Sequence, residues 1–233
     1  MNIDYALSRE RRPDLRYRLR RRTEEVLRVL SRHAPSARDI IDLGTAEGKM
    51  LRAIKGRYPS SWCLGVDYSL PLLLYGRKQF CDTPMICADV QDLAFLKNGT
   101  SDVIIAAAVI EHLVHPQVLL NETVRVLRDG GILIITSPHP FWEKVSGFLG
   151  WIKGEHHSVM TPTRLADLCR KSQLTIREDY GFMISPVGLW GEKWIEAMLR
   201  KIGVDRFLPN HLLVAQKAEA NAGLRHESVN IPS

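Results

Sequence analysis

The sequence predicts a doubly wound α/β fold on a mostly parallel sheet, and three observations carry that prediction. Short apolar runs alternate with helix-patterned segments between residues 38 and 140. A small-residue turn, Asp42-Leu43-Gly44-Thr45-Ala46-Glu47-Gly48, joins the first run to the first helix. An acidic residue stands at or just after the end of each of the first four runs, at the sheet edge where open parallel sheets bind ligands.

The first strand is Arg38-Asp39-Ile40-Ile41, short and apolar as a buried parallel strand should be. The turn follows, and Lys49 to Ile54 resumes with helical spacing. A chain turning sharply from strand into helix favours glycine, which tolerates positive φ and lets a ligand approach the backbone while the helix amides face it. The same spacing also serves merely to pack a helix on a strand. Trp62 to Val66 reads as the second strand and ends on Asp67, whose carboxylate suits a ribose diol, or else a helix N-cap. The third strand, Met85 to Ala88, runs into Asp89-Val90-Gln91-Asp92-Leu93, and the fourth, Asp102 to Ala108, into Val109-Ile110-Glu111-His112-Leu113. Asp42, Asp67, Asp89 and Glu111 therefore share one rim. The fifth strand, Gly131 to Thr136, follows an amphipathic helix expected to stop on the Gly130-Gly131 pair.

In these segments the chain resembles the class I S-adenosylmethionine-dependent methyltransferases, in the small-molecule branch that includes the quinone-biosynthesis methyltransferases. DLGTAEG is similar to the family's first motif, GVDYS to its ribose-binding segment, CADVQDL to its adenine-contacting segment, and residues 101–138 to its fourth strand, helix and fifth strand. The resemblance implies a Rossmann-like, seven-stranded sheet whose last strand is antiparallel, with S-adenosylmethionine as cofactor and S-adenosylhomocysteine as product. It implies that Asp42 and Gly44 line the methionine end together with Ala46 and Gly48 of the same loop, that Asp67 holds the ribose, and that Asp89 and the Val90 amide meet the adenine. Ala46 departs from the family's commoner glycine, which predicts reduced clearance beside the cofactor. A nicotinamide site fits less well, since its glycine spacing requires glycine at Lys49.

A sulfonium methyl is already activated, so alignment and exclusion of water are the protein's main tasks. A base is needed only where the acceptor must lose a proton. His112, just after the fourth strand, and His139, between two prolines after the fifth, are the candidates for base or acceptor contact; His115, His156 and His157 are less well placed. Each also reads as a structural histidine. Some quinone O-methyltransferases carry a further glutamate associated with a metal where this chain has Ala108, and Glu111 with His112 is a poor magnesium site, so no metal is expected.

Composition is that of an ordinary globular chain: 233 residues, 45% hydrophobic and 25% charged. No long apolar run predicts a membrane span, the start lacks an apolar signal-like region, and Cys63, Cys81, Cys87 and Cys169 lack metal or redox spacing. These features predict a cytoplasmic protein with reduced core cysteines. The net charge of +6 gathers in residues 1–37, where eight arginines between Arg9 and Arg22 precede or line a helix opened by Pro13. This basic segment could cap the cofactor, meet an anionic acceptor, touch a membrane surface or bind RNA.

One methyltransferase domain is expected, with the cofactor core at 38–140, a substrate cover and hairpin at 141–217 and a loose tail at 218–233. Phe141 to Lys153 mixes aromatics, glycines and lysines as a lid, a pocket for an apolar substrate or an interfacial contact would. Thr161-Pro162 caps a helix, Leu174 to Gly181 and His211 to Lys217 read as the hairpin, and a helical insert bears Trp190 and Trp194. The expected function is methyl transfer to a small-molecule or lipid-like acceptor. The alternatives are a catalytically silent binding module of the same fold or, with less support, an RNA methyltransferase; the fourth strand lacks the Asn/Asp-Pro-Pro-aromatic pattern and Ser137-Pro138-His139-Pro140 lacks a cysteine nucleophile.

Overall fold

Ile40 and Ile41 are neighbours in sequence and lie in different cores, which is the period-two alternation of a strand covered on both faces. The computed structural model describes residues 3–80, 83–142 and 158–219. Its strands are β1 (Asp39–Leu43), β2 (Trp62–Asp67), β3 (Met85–Cys87), β4 (Ser101–Ala107), β5 (Leu127–Pro138), β6 (Leu174–Phe182) and β7 (Asn210–Lys217). They form one seven-stranded sheet in the order β3-β2-β1-β4-β5-β7-β6. The first five are parallel, and β7 runs antiparallel to both β5 and β6.

One face buries Ile41, Leu64, Ile104, Leu133 and Leu213 beneath α5 (Pro116–Val126) and α6 (Pro162–Lys171). The other buries Ile40, Cys63, Val103, Ile134 and Val214 beneath α2 (Pro13–His33) and α3 (Lys49–Arg57). Complete burial of each such side chain contributes on the order of 2 kcal/mol. α6 begins as its sequence predicts, with the Thr161 hydroxyl accepting the Arg164 amide at 3.2 Å. α4 (Leu70–Gln79) lies beside β3, and α7 (Glu192–Lys201) carries the insert between β6 and β7.

Four expectations change. α5 ends at Val126 with an extended cap residue, so it does not stop on glycine; Gly130, at φ +76°, belongs to an irregularity inside β5, where the register against β4 slips between Ser101 and Val103. The basic segment is two helices, α1 (Ile3–Arg11) and α2, because Pro13 lacks the amide that would continue the first. Cys63 and Cys169 are core residues as expected, whereas Cys87 is exposed on the short strand β3. Trp190 lies just ahead of α7, and the helix turns its two glutamates inward. Cys81, most of the 141–153 segment and most of the tail fall outside the described residues. Among the described residues, no helix is long and apolar enough to cross a membrane.

Candidate cofactor and acceptor site

β1 and β4 are hydrogen-bonded neighbours, yet the chain leaves β1 toward β2 on one side and reaches β4 on the other. The connections after the two strands run in opposite directions, which makes their carboxyl ends the switch point where open α/β sheets carry a ligand crevice. Four residues beside it take left-handed backbone: Gly44 (φ +72°), Ala46 (+51°) and Gly48 (+77°) after β1, and Ala108 (+57°) after β4. For the two alanines this conformation costs roughly 1–2 kcal/mol each, and such strain concentrates at functional sites. Gly44 is required twice over. Its φ of +72° is left-handed, and a Cβ there would lie 2.2 Å from Val109 Cγ2 across the crevice; its amide donates to the Val66 carbonyl at 2.7 Å.

Asp42 and Asp67 both lie inside this turn and are 2% and 1% exposed. Thr45 Oγ1 donates to Asp42 Oδ2 at 2.8 Å. Burial pushes the Asp42 carboxyl up to about 7, and the like charge of Asp67 adds to the rise against the opposing Thr45 bond. Asp67 accepts the Ala46 amide at Oδ2 and the Ser69 amide at Oδ1, both at 2.8 Å. A carboxylate has about four acceptor sites, so these two bonds leave capacity for a diol. Two buried acids beside a backbone turn fit a cationic, hydroxyl-bearing ligand, and S-adenosylmethionine is one.

Asp89 is exposed and folds back onto its own chain, its Oδ1 accepting the Gln91 amide at 2.9 Å, while Val90 is buried. Both follow β3 on the same rim. Ala46 packs in a small cluster with Ala6 of α1 and Leu72 of α4, so its methyl group has a place in the cover above the loop. That cover is ionic as well as apolar. Arg9 Nη1 donates to both Glu47 oxygens at 3.1 and 3.0 Å, and Glu10 accepts from Lys49 Nζ at 3.2 Å and the Tyr75 hydroxyl at 3.0 Å. α1 thus docks on the glycine turn and α4, a role among the several open to the basic segment in sequence. Nothing in the residues of α1 alone names Glu47 as its partner.

The segments past β4 and β5 carry the histidines singled out in sequence. Glu111 is buried in a short helical turn and its carbonyl takes the Ser158 amide at 3.1 Å, whereas His112 beside it is exposed. His139 is half-buried: its amide donates to the Pro209 carbonyl at 2.8 Å, and its Nδ1 accepts the Phe141 amide at 3.3 Å. An accepting Nδ1 assigns the ring proton to Nε2, which makes that nitrogen a donor. Next to it, opposite Pro138 in the β5–β7 register, Asn210 Oδ1 accepts from Arg22 Nη2 at 3.1 Å and Nε at 3.3 Å. The pairing of Arg22 with Asn210 spans most of the chain and left no mark in sequence.

Other parts of the molecule are occupied by structure. A cavity of about 420 Å³ at the opposite, amino-terminal edge of the strands is lined by Arg38, Asp102 and Arg128, and Arg128 is tied to Asp39 and Asp102. Among the described residues, no group of three His, Cys, Asp or Glu is placed to hold a metal ion.

A family model described as a methyltransferase domain matches residues 11–179. The chain is 26% identical to a malonyl-[acyl-carrier protein] O-methyltransferase from Marinomonas sp. (strain MWYL1) over 70% of this chain and 62% of that one. It is 30% identical to a trans-aconitate 2-methyltransferase from Acidovorax ebreus (strain TPSY) over 50% of this chain and 45% of that one. The matches therefore span about half to three fifths of these relatives' lengths. Among solved structures, a SAM-dependent methyltransferase from Archaeoglobus fulgidus shares the fold at a TM-score of 0.62 and 17% identity, over 84% of this chain and 94% of that one.

Proposed function

The chain belongs to the methyltransferase domain family, and on that premise we propose that it transfers the methyl group of S-adenosylmethionine to a carboxylate oxygen of a small or carrier-borne acid. The cofactor supplies an electrophilic methyl on a sulfonium centre. Asp42 and the Gly44–Gly48 backbone hold its methionine end, Asp67 its ribose and the Asp89–Val90 segment its adenine, while α1 closes over the turn and limits water. A buried Asp42 whose carboxyl titrates near neutrality loses its proton to solvent when a cationic ligand takes its place.

The observation that carries the acceptor class is the Arg22 guanidinium held on Asn210 Oδ1, opposite Pro138 at the rim where β5 ends. A guanidinium recognises a carboxylate through paired, charge-assisted hydrogen bonds. Such an acceptor is already ionised at neutral pH, so orientation suffices and no base has to remove a proton. His139 accordingly serves as a contact for the acceptor, and His112, exposed on its turn, serves at the mouth. Both named acceptors of the relatives, a malonyl group and trans-aconitate, carry carboxylates. The RNA reading loses its motive: Arg9, Arg12, Arg20, Arg21, Arg28 and Arg32 are all engaged with carboxylates of the same chain.

The test is transfer from methyl-labelled cofactor to a panel of mono-, di- and tricarboxylic acids, amines and phenols. The expected product is a methyl ester whose label is released by mild base. A base-stable product, on nitrogen, carbon or a phenol, overturns the acceptor class; no transfer to any acceptor by a protein that binds the cofactor favours the silent binding module.

A further inference from the structure

α7 is built inside out. Its inward face carries Glu192 and Glu196, 4% and 3% exposed, and its outward face carries Trp194, Met198 and, one turn on, Ile202, continuing the line begun by Trp190. The four outward residues recur every fourth position, which sets them in one gently drifting stripe. Trp190 is fully exposed and Trp194 71% exposed. Val187 and Leu189, just before the helix, and Val204 and Phe207, just after it, are exposed as well.

The inward glutamates explain how the helix keeps this orientation. Glu196 accepts from Arg21 Nη2 at 2.7 Å and the Met183 amide at 2.7 Å, and Glu192 accepts from the Tyr17 hydroxyl and the Ile184 amide. Rotating the helix to hide the tryptophans would strip four hydrogen bonds from buried carboxylates. The apolar face is therefore held in solvent by the fold, and its exposure is a fixed property of the surface.

We propose that this face docks on an anionic phospholipid surface. Charge complementarity selects that occupant. Lys201 is exposed beside the stripe, as are Lys193, Arg200 and Arg206, whose exposed side chains can exchange their partners Glu24, Asp205 and Asp179 for phosphates, and the chain carries a formal charge of +6. Indole rings flanked by lysine and arginine match the headgroup boundary of a bilayer, with the rings at the acyl edge and the cations among the phosphates. The patch also adjoins the acceptor rim: Trp142 Nε1 donates to the Phe207 carbonyl at 2.6 Å, and Pro209 bonds His139. Docking would set the mouth of the site at the lipid interface.

The full chain should sediment with phosphatidylcholine vesicles containing phosphatidylglycerol, and weakly with phosphatidylcholine alone. Trp190→Ser with Trp194→Ser, both surface changes, should lower vesicle partitioning roughly tenfold or more and leave S-adenosylhomocysteine binding and the thermal midpoint unchanged. Raising the salt concentration should also release the native protein. Equal sedimentation of native and double variant, or none by a native protein that binds S-adenosylhomocysteine, overturns the proposal. So does a native dimer that the double variant converts to monomer, since a second copy would then be the occupant. Cofactor binding is read separately, so failure here leaves the methyltransferase reading standing.

Discussion

The turn after β1 and the seam between α2 and α7 solve opposite problems with buried charge. In the turn, Asp42 and Asp67 are buried among backbone amides and a threonine hydroxyl, and the nearest charge is their own like sign. In the seam, Arg21 is 2% exposed and bound to Glu25 at 3.1 Å and Glu196 at 2.7 Å, with Tyr17, Arg28 and Tyr180 completing the network. Burial alone would lower Arg21, and the two glutamates outweigh it and hold the guanidinium firmly protonated. The comparison teaches that uncompensated buried charge marks a site awaiting a ligand, whereas compensated buried charge marks architecture.

The largest effect separating the two regions should come from the seam. Arg21→Ala leaves Glu25 and Glu196 buried without their cation and should cost about 3–5 kcal/mol in urea unfolding. Arg21→Met combined with Glu196→Met should recover part of that loss. A single substitution costing under about 1 kcal/mol would mean the seam is solvated and the contrast with the turn is empty.

Next comes the pH dependence of the turn. The folded-state value for Asp42, about 7, lies above the ordinary value of 3.8, so the folded chain binds more protons than the unfolded chain between those values. Stability contributed by this group is present below about pH 4 and is lost as pH rises through 7, by at most about 4 kcal/mol. Asp42→Asn should therefore raise the thermal midpoint at pH 8 and leave it nearly unchanged at pH 4. For the native protein, affinity for a cationic cofactor should rise between pH 6 and pH 8, as the ligand takes over from the proton. A midpoint at pH 8 that Asp42→Asn leaves unmoved would remove the claim that this charge is uncompensated.

Gly44→Ala should have a smaller effect, about 2 kcal/mol, split between the left-handed backbone and the 2.2 Å approach to Val109 Cγ2. Adding Val109→Ala relieves only the second part. Recovery of half or more of the loss in the pair, read from unfolding midpoints, would confirm that the two sides of the crevice touch; no recovery would place them apart.

What was legible in sequence follows the same division. The five parallel strands and the glycine turn are local patterns, since apolar alternation, a strand-end aspartate and a capped helix each occupy a few adjacent residues. Ala46 and Ala108 adopt positive φ, yet alanine carries no sequence signal for that conformation, so the strain at the crevice was invisible. Gly130 misled because a glycine after a helical pattern reads as a cap, while the strand register across β4 and β5 decided its place. The seam was illegible for a different reason. Arg21 and Glu196 lie at opposite ends of the chain, and an arginine run reads as a solvated or polyanion-binding face until its partners are known. α7 shows the cost of that gap most clearly, because the partners that draw Glu192 and Glu196 inward, Tyr17 and Arg21, lie far away in the sequence.

Calorimetry of S-adenosylmethionine and S-adenosylhomocysteine against the native chain and Asp67→Ala tests the central claim most directly. Micromolar binding that weakens by about 1.5–3 kcal/mol on loss of the carboxylate is the expected result. Absence of binding by a folded native chain, or equal affinity in the variant, would contradict the assignment of the β1–β4 crevice as the cofactor site.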